Sequence, residues 1–240
     1  MLGHNDKSLE KMLILAVETA TSQQSVAILQ DSQVLGSRSR DAEGSHTRWL
    51  IPTIDELLTS LSLDMDKVSG LAVSIGPGSF TGLRAGLATM LGFRLAFTLP
   101  LVTVPTLEAM AWNFRPSHEV ICPMLKARVG EVYWACFRWE GDTLIRITDD
   151  QAGSLATLIE SLEAPTWVFG EGWAVNQDKL EGKSHLLKPV LSRLQPTSAD
   201  SVGFASLQRF RSGDVASFGI APHYVLPCHA ELVKNKQKTL

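Results

Sequence analysis

The sequence predicts a mixed α/β fold arranged in two lobes, on three observations. A chain of 240 residues can bury a sizeable core, in one large domain or in two small lobes. Short apolar runs that fit buried strands alternate with segments of helical periodicity, which is typical of α/β layers. A second series of strand-like segments begins after about residue 106, and a second lobe is expected there.

The first predicted lobe, residues 12–105, opens on three strands and a helix. The run Leu13–Val17 fits a buried strand, Ser25–Leu29 a second, and Gln33–Arg40 an antiparallel third. Apolar residues then recur at helical spacing from Trp49 to Leu61, and Ser45 is a good N-cap for that helix. Further strands are predicted at Gly70–Ile75 and Leu101–Val104.

Between those two strands, a helix predicted from about Thr81 to Phe97 carries a stripe of small residues. They recur at alternating three- and four-residue steps: Gly82, Ala85, Thr89, Gly92 and Ala96, with Gly86 beside them. Each glycine inside a helix costs about 1 kcal/mol relative to alanine, so the stripe requires compensation from the close approach of another backbone. That backbone belongs either to the protein's own sheet or to another subunit, and both interpretations stay open.

The second predicted lobe comprises residues 106–227, and its predicted helices and strands are mostly short. After a helix that Thr106 can cap, strands are expected at Val120–Leu125, Glu131–Trp139, Thr143–Thr148, Trp167–Phe169 and Tyr224–Leu226, and helices at Ser154–Leu162 and Ala199–Arg211. Residues 1–11 form an N-terminal extension, and residues 228–240 form a lysine-containing flexible tail.

Composition excludes several classes of protein. A formal net charge of −3 without a basic stripe disfavours direct binding of nucleic acid, so any tRNA contact is expected to be indirect. Three widely spaced cysteines, Cys122, Cys136 and Cys228, form neither a metal knuckle nor a disulfide framework, which indicates a reducing cytoplasm. The longest apolar run, Met90–Val104, is too short and too interrupted to span a membrane.

Three short segments could carry chemistry, and each also has a purely structural interpretation. The turn Glu18–Thr21 could hold a metal–phosphate pair, or its hydroxyls could satisfy turn amides. The loop Gly76–Gly82 could bind an anion before a helix, but it lacks a Walker lysine and is better explained as a tight turn. Gly170 and Gly172 form a weak Gly-x-Gly signal, and the negative charge of Glu171 between them disfavours phosphate binding.

Stronger conclusions come from motifs that are missing. The six histidines include no pair three or four residues apart, and His-Glu-x-x-His and Gly-x-Ser-x-Gly do not occur. The sequence therefore predicts no metal site and no catalytic residues.

Five strings resemble the TsaB (YeaZ) family. The segment Ser74–Arg84 is the most diagnostic, although the related TsaD family shares its Gly-Pro-Gly-Ser-Phe-Thr-Gly run. The others are Leu13–Thr21, Ser45–Thr47 with Pro52 downstream, Lys126–Tyr133 and Gly170–Trp173. The resemblance covers residues 12–227, and the short chain and second-lobe strings favour TsaB over TsaD.

The resemblance implies a two-lobe actin-like fold of the acetate/sugar kinase–Hsp70–actin type, with ribonuclease H-like lobes. It also implies a non-catalytic subunit that binds and stabilises TsaD, which transfers threonylcarbamoyl to adenosine next to the tRNA anticodon, while TsaE supplies an ATPase. No cofactor is expected, except ATP or ADP within the multi-subunit complex. The helices opened by His46 and Thr81 would meet TsaD, or a second copy in a homodimer, through His46, Trp49, Phe80, Thr81, Gly82, Ala85, Gly86, Thr89 and Gly92.

Departures from the family weaken any nucleotide site. Glu18 replaces the usual aspartate of the first turn, and Lys126 replaces another aspartate in the second lobe. A site composed of Glu18, Thr19, Thr21, Gly170 and Gly172 is therefore expected to be vestigial. The chain also starts about eleven residues early, so Met12 is an alternative start.

Two enzymatic alternatives accompany this hypothesis. An ATP-dependent transferase or kinase of the same fold, acting on its own, would bind magnesium and nucleotide near Glu18 and Gly170. A metallopeptidase, suggested by an old label of relatives, is disfavoured because paired histidines are missing.

Overall fold

The protein is represented by a computed structural model. It describes residues 11–42, 46–116, 118–190, 197–217 and 219–226, without the side chains of residues 46 and 47. The predicted N-cap Ser45, the extension up to residue 10 and the tail 228–240 lie outside the described residues.

The first lobe is built on a five-stranded sheet of order β3-β2-β1-β4-β5. Strands β1 to β3 form an antiparallel meander, and β4 and β5 continue the sheet parallel to β1. Its elements are β1 (Leu13–Glu18), β2 (Gln23–Gln30), β3 (Gln33–Asp41), α1 (His46–Ser60), β4 (Gly70–Ser74), α2 (Phe80–Phe97), β5 (Leu101–Val104) and α3 (Thr106–Ala111), with a 3₁₀ turn at Met65–Lys67.

The second lobe repeats this topology, with strand order β10-β7-β6-β11-β12 and two further strands, β8 and β9. Strand β7 pairs antiparallel with β6, and β10 pairs antiparallel with β7. On the other side, β11 and β12 run parallel to β6. The elements are β6 (Val120–Lys126), β7 (Glu131–Trp134), β8 (Phe137–Glu140), β9 (Thr143–Arg146), β10 (Gln151–Ser154), α4 (Leu155–Glu160), β11 (Thr166–Phe169), α5 (Glu171–Ala174), α6 (Gln177–Leu180), β12 (Leu187–Pro189) and α7 (Ala199–Ser212).

Strands β7 and β8 are two halves of one interrupted strand. Met124 pairs with Trp134 and Val120 pairs with Arg138, so both halves keep one register along β6. The interruption falls at Ala135 and Cys136, where the Cys136 amide turns to the Thr148 hydroxyl at 2.9 Å. The single strand predicted at Glu131–Trp139 is corrected accordingly, and the two duplicated sheets confirm the predicted two-lobe actin-like fold.

Helices cover both faces of the first sheet. On one face, α1 and α2 bury residues such as Leu57 and Met90 against Leu15 and Ile28. On the opposite face lies α7, whose Val202 packs with Ile14 and other residues of β1 and β2. We refer to these as the α1/α2 face and the α7 face.

The position of α7 corrects the lobe assignment made from the sequence. Its residues fall within segment 106–227, yet its apolar side belongs to the core of the first lobe. A capping box between Ser198 and Ser201 starts the helix. Arg209 then holds Glu108 of α3 through two bonds of 2.8 and 3.0 Å, a bidentate geometry that fixes the two helices together.

Two further expectations differ from the structure. Tyr224–Leu226 is not a strand; instead, the Tyr224 ring stacks on Phe80 with the centroids 5.1 Å apart. Thr106 is the first residue of α3 rather than its cap, which is Pro105, and the Thr106 hydroxyl accepts a bond of 3.1 Å from the Gly76 amide. Within the described ranges, no helix has the length and apolar character needed to cross a bilayer.

Candidate functional site

The small-residue stripe of α2 divides into two halves with different surroundings. In the first half, Gly82, Ala85 and Gly86 are buried. A Cβ atom built on Gly86 would lie 2.3 Å from Oγ1 of Thr19, in the turn after β1. Gly86 thus allows the helix to approach its own chain. It is therefore removed from the predicted partner surface, and Gly82 and Ala85 are likewise buried.

The second half of the stripe is open. No atom lies within 4 Å of a Cβ built on Gly92, and Thr89 is half-buried. One further turn along, the Leu95 side chain is 70 % exposed. We call the exposed residues Ala88, Gly92, Leu95 and Ala96 the α2 apolar face. The first half of the stripe is therefore packed against the protein's own turn, and the second half is exposed to solvent.

The neighbouring helix α1 adds to this surface. Ile51 is 57 % exposed, and Trp49 is half-buried with the guanidinium of Arg48 at 4.9 Å from its ring centroid. His46 begins α1, but its side chain lies outside the described residues. Because α1 and α2 pack on the same side of the sheet, their outer surfaces are exposed on the same side of the protein.

The start of α2 carries a separate cluster of aromatic and cationic groups. Ser79 caps the helix by accepting from the Gly82 amide at 3.2 Å. Thr81, in the first turn, is exposed. The Arg84 guanidinium lies 3.6 Å from the centroid of the Phe80 ring and donates to the Tyr224 hydroxyl at 2.9 Å. These contacts attach the segment around Tyr224 to α2 and leave Phe80 partly exposed.

The turn after β1 holds Glu18 in an environment that favours its neutral form. The side chain is fully buried, its Oε1 accepts from the Ala20 amide in the same turn, and the buried Ser74 hydroxyl of β4 lies close enough to interact with the carboxyl. Desolvation raises the pKa of Glu18 from 4.5 to about 7, and hydrogen bonding from the Ala20 amide, the Ser74 hydroxyl and the Thr19 amide only partly offsets this. Thr19 and Thr21 are also buried, and Thr21 donates to the Gln23 carbonyl at 3.0 Å.

The two glycines of the second lobe are packed against their own sheet. A Cβ on Gly170 would lie 2.5 Å from the Met124 carbonyl oxygen, and one on Gly172 would lie 2.9 Å from Leu125. Gly170 also has a φ of 100°, a conformation that glycine adopts readily. The close space around both residues is therefore filled by β6 rather than left for a ligand.

These residues do not fit a metal-bound nucleotide as they stand. The Glu18 carboxyl is turned into its own turn, and Gly170 and Gly172 face backbone. Among the described residues, no group of three or more His, Cys, Asp or Glu side chains is placed to hold a metal ion.

The exposed apolar residues Ile51 and Leu95 were not among the predicted site residues. A signal existed for Leu95, because it follows Gly92 by three residues and so shares its side of the helix. Ile51 gave no comparable signal, since it lies in an apolar stretch that periodicity alone places in the core.

Proteins of known name match most of this chain. The tRNA threonylcarbamoyladenosine biosynthesis protein TsaB of Haemophilus influenzae is 33 % identical, with 90 % of this chain and 94 % of that protein covered. The TsaB protein of Escherichia coli K12 is 30 % identical, covering 84 % of this chain and 89 % of that protein. The chain belongs to the TsaB family. Residues 25–200 of this TsaB family member also match the family model described as "TsaD: tRNA N6-adenosine threonylcarbamoyltransferase".

Solved structures agree on the fold of this TsaB family member. YeaZ from Pseudomonas aeruginosa superposes with a TM-score of 0.74 at 22 % identity, covering 89 % of this chain and 99 % of that one. A Pseudomonas aeruginosa protein described as similar to peptidase YEAZ gives a TM-score of 0.75, also at 22 % identity, with 90 % and 100 % covered. At this identity the likeness concerns the fold alone.

Proposed function

We propose that the chain is a non-catalytic scaffold subunit that binds and stabilises TsaD during threonylcarbamoyl transfer to adenosine next to the tRNA anticodon. Membership of the TsaB family supports a role in the biosynthesis of threonylcarbamoyladenosine in tRNA, the process for which its relatives are named. The cytoplasm is the compartment in which this role would be exercised.

The α2 apolar face is the observation that carries the proposal. A leucine that is 70 % exposed beside a glycine with open space gives a flat apolar surface onto which another helix can pack closely. Burying a leucine side chain completely is worth about 1.5–3 kcal/mol relative to leaving it in water. In the free protein this surface is an unused source of binding energy.

Glu18 supports a scaffold over an independent enzyme. Its buried, inward-facing carboxyl, whose pKa is raised to about 7, is a poor metal ligand, so ATP or ADP would be held only with the help of other subunits. TsaE would supply the ATPase, tRNA contact would be indirect because the chain has a formal net charge of −3, and a second copy would occupy the same face when TsaD is absent.

Replacing Leu95 by glutamate is expected to reduce the affinity for TsaD at least tenfold, because docking would then bury an unpaired carboxylate. The fold should be retained, since Leu95 is largely exposed. The measurement is co-purification and titration of the two proteins from the same organism. The fully exposed Val129, in the second lobe, provides the matched control Val129→Glu, which should bind normally.

Equal affinity of Leu95→Glu and Val129→Glu for TsaD would contradict the assignment of this face. A modification assay with TsaD, TsaE and tRNA should show the same order of activity as the binding titration. If the isolated chain instead hydrolyses ATP with magnesium, the alternative of a kinase or transferase acting on its own replaces the scaffold.

A further inference from the structure

Two buried cysteines face each other across neighbouring strands of the second lobe. Ile121 of β6 pairs with Phe137 of β8, and the register along β6 is the same on both sides of the interruption between β7 and β8. Cys122 therefore lies opposite Cys136. Both side chains belong to the same apolar cluster, so they point to the same face of the sheet. The fold thus brings together two thiols that are well separated in the sequence.

The main chain at Cys136 makes this pair suitable for a disulfide. Its amide donates to the Thr148 hydroxyl at 2.9 Å, and its carbonyl accepts from the Ile147 amide at 2.8 Å. Both groups are turned away from β6, so Cys122 and Cys136 form a non-hydrogen-bonded pair of the antiparallel ladder. The Cα atoms of such a pair are about 4.5 Å apart, and disulfides bridge Cα separations of about 4.4–6.8 Å. Forming an S–S bond here requires rotation of the side chains rather than movement of the strands.

The two thiols already contact each other, and they differ in reactivity. A hydrogen bond from the Cys122 thiol lowers the pKa of Cys136 against the opposing effect of burial, and the Thr148 hydroxyl adds to the lowering. The same hydrogen bond and complete burial raise the pKa of Cys122. Cys136 also keeps 6 % of its surface exposed, whereas Cys122 has none. Since the thiolate is the reactive form, a small oxidant attacks Cys136 first.

Metal binding does not explain the pair. A structural zinc site takes four ligands, and in the part of the chain that the structure describes no further His, Cys, Asp or Glu completes a group of three with these thiols. Two ordinary core residues are the remaining alternative, and that alternative predicts thiols that stay reduced in the folded protein.

We infer that Cys122 and Cys136 are a redox-active pair, which a peroxide converts reversibly into a disulfide between β6 and β8. The dithiol is the form that the structure shows. Both residues lie in the core of the second lobe, away from the α2 apolar face, so the inference is independent of the proposed function.

The reaction balances with a peroxide as the only co-reactant. The Cys136 thiolate attacks one oxygen of hydrogen peroxide, the O–O bond breaks, and a sulfenic acid and hydroxide form. The Cys122 sulfur then attacks the sulfenic sulfur, and the hydroxyl group leaves as water with the proton of the Cys122 thiol. The electron pair that the sulfurs lose has reduced the peroxide. A dithiol such as dithiothreitol reverses the modification by thiol–disulfide exchange.

Hydrogen peroxide treatment of the full chain with Cys228→Ser tests the pair, because this substitution removes the remaining cysteine of the sequence. The intact mass should fall by that of two hydrogen atoms, and both thiols should become unreactive towards a thiol reagent. Trypsin cuts after Lys126 and Arg128, between the two cysteines. The disulfide should therefore appear as a linked pair of peptides that dithiothreitol separates.

Cys122→Ala and Cys136→Ala, in the same background, are matched controls with one core thiol each. Without Cys122 the sulfenic acid at Cys136 is not resolved, so dimedone, which reacts with sulfenic acids, should label it. Without Cys136 the fully buried Cys122 should be labelled at least about tenfold more slowly.

Thiols that both stay free in excess peroxide, while circular dichroism shows an intact fold, would mean that the two cysteines are ordinary core residues. Oxidation of Cys136 to a sulfinic acid without linked peptides would also overturn the inference, because Cys122 would then not resolve the sulfenic acid. Equal labelling rates in the two alanine variants would overturn the assigned order of attack and the inference with it.

Discussion

Gly86→Ala is expected to destabilise the fold by about 1 kcal/mol net, although alanine is the better helix former. The added Cβ would lie 2.3 Å from Oγ1 of Thr19, a distance that no atom pair of this kind tolerates. Thr19 is fully buried and β-branched, so it cannot simply swing away. Overpacking of this kind costs about 1–3 kcal/mol, which exceeds the gain of about 1 kcal/mol in helix propensity.

The same substitution at Gly92 is the matched control, in the same helix. No atom lies within 4 Å of a Cβ at this position, so only the propensity term remains. Gly92→Ala should therefore stabilise the chain by about 0.5–1 kcal/mol. Urea unfolding of both variants measures the two effects, which should have opposite signs.

A double-mutant cycle with Thr19→Ala identifies the contact responsible. Removing the Thr19 hydroxyl and methyl frees the space that the new Cβ needs, so the double variant should regain most of the stability lost in Gly86→Ala. If Gly86→Ala is as stable as Gly92→Ala, the helix does not approach the turn in this way, and Gly86 returns to the partner surface.

Gly86 and Gly92 show why the sequence could predict the stripe but not its use. Helical spacing predicts which residues share a side of a helix, and it places both glycines correctly on α2. Which part of that side is covered depends on the turn at Thr19, far away in the sequence, and on where the sheet ends beneath the helix. Local patterns contain no information about either.

The same limit applies to the position of α7. Periodicity predicted the helix at almost its observed bounds, and the short apolar runs predicted most of the strands, because burial imposes these patterns locally. The return of α7 to the first sheet joins Val202 to Ile14, a contact across nearly the whole chain.

Glu18→Gln is expected to stabilise the protein in a strongly pH-dependent way. Burial raises the pKa of Glu18 from 4.5 to about 7 in the folded state, so the folded protein holds a proton that the unfolded chain releases. The contribution of protonated Glu18 to the free energy of unfolding of the parent is therefore fully present below about pH 4.5, and it is lost as the pH rises through about 7. Glutamine keeps the shape and an oxygen for the Ala20 amide but never ionises.

The expected difference follows from the two pKa values. At 1.36 kcal/mol per pH unit, an interval from 4.5 to about 7 corresponds to about 3 kcal/mol. Glu18→Gln should thus match the parent near pH 4.5 and exceed it by about 3 kcal/mol at pH 8. Chemical unfolding between pH 5 and 8.5 measures the difference, with Glu163→Gln, at an exposed glutamate, as the control that should follow the parent.

Parallel stability curves for Glu18→Gln and the parent would mean that the carboxylate is charged in the folded protein. It would then have to face water or a cation instead of its own turn, and that geometry would be open to magnesium and nucleotide. A growing advantage of glutamine with pH would instead show that burial keeps the Glu18 carboxyl protonated up to about pH 7. A protonated carboxyl is not a metal ligand, so a metal ion that bound at this turn would first have to displace that proton.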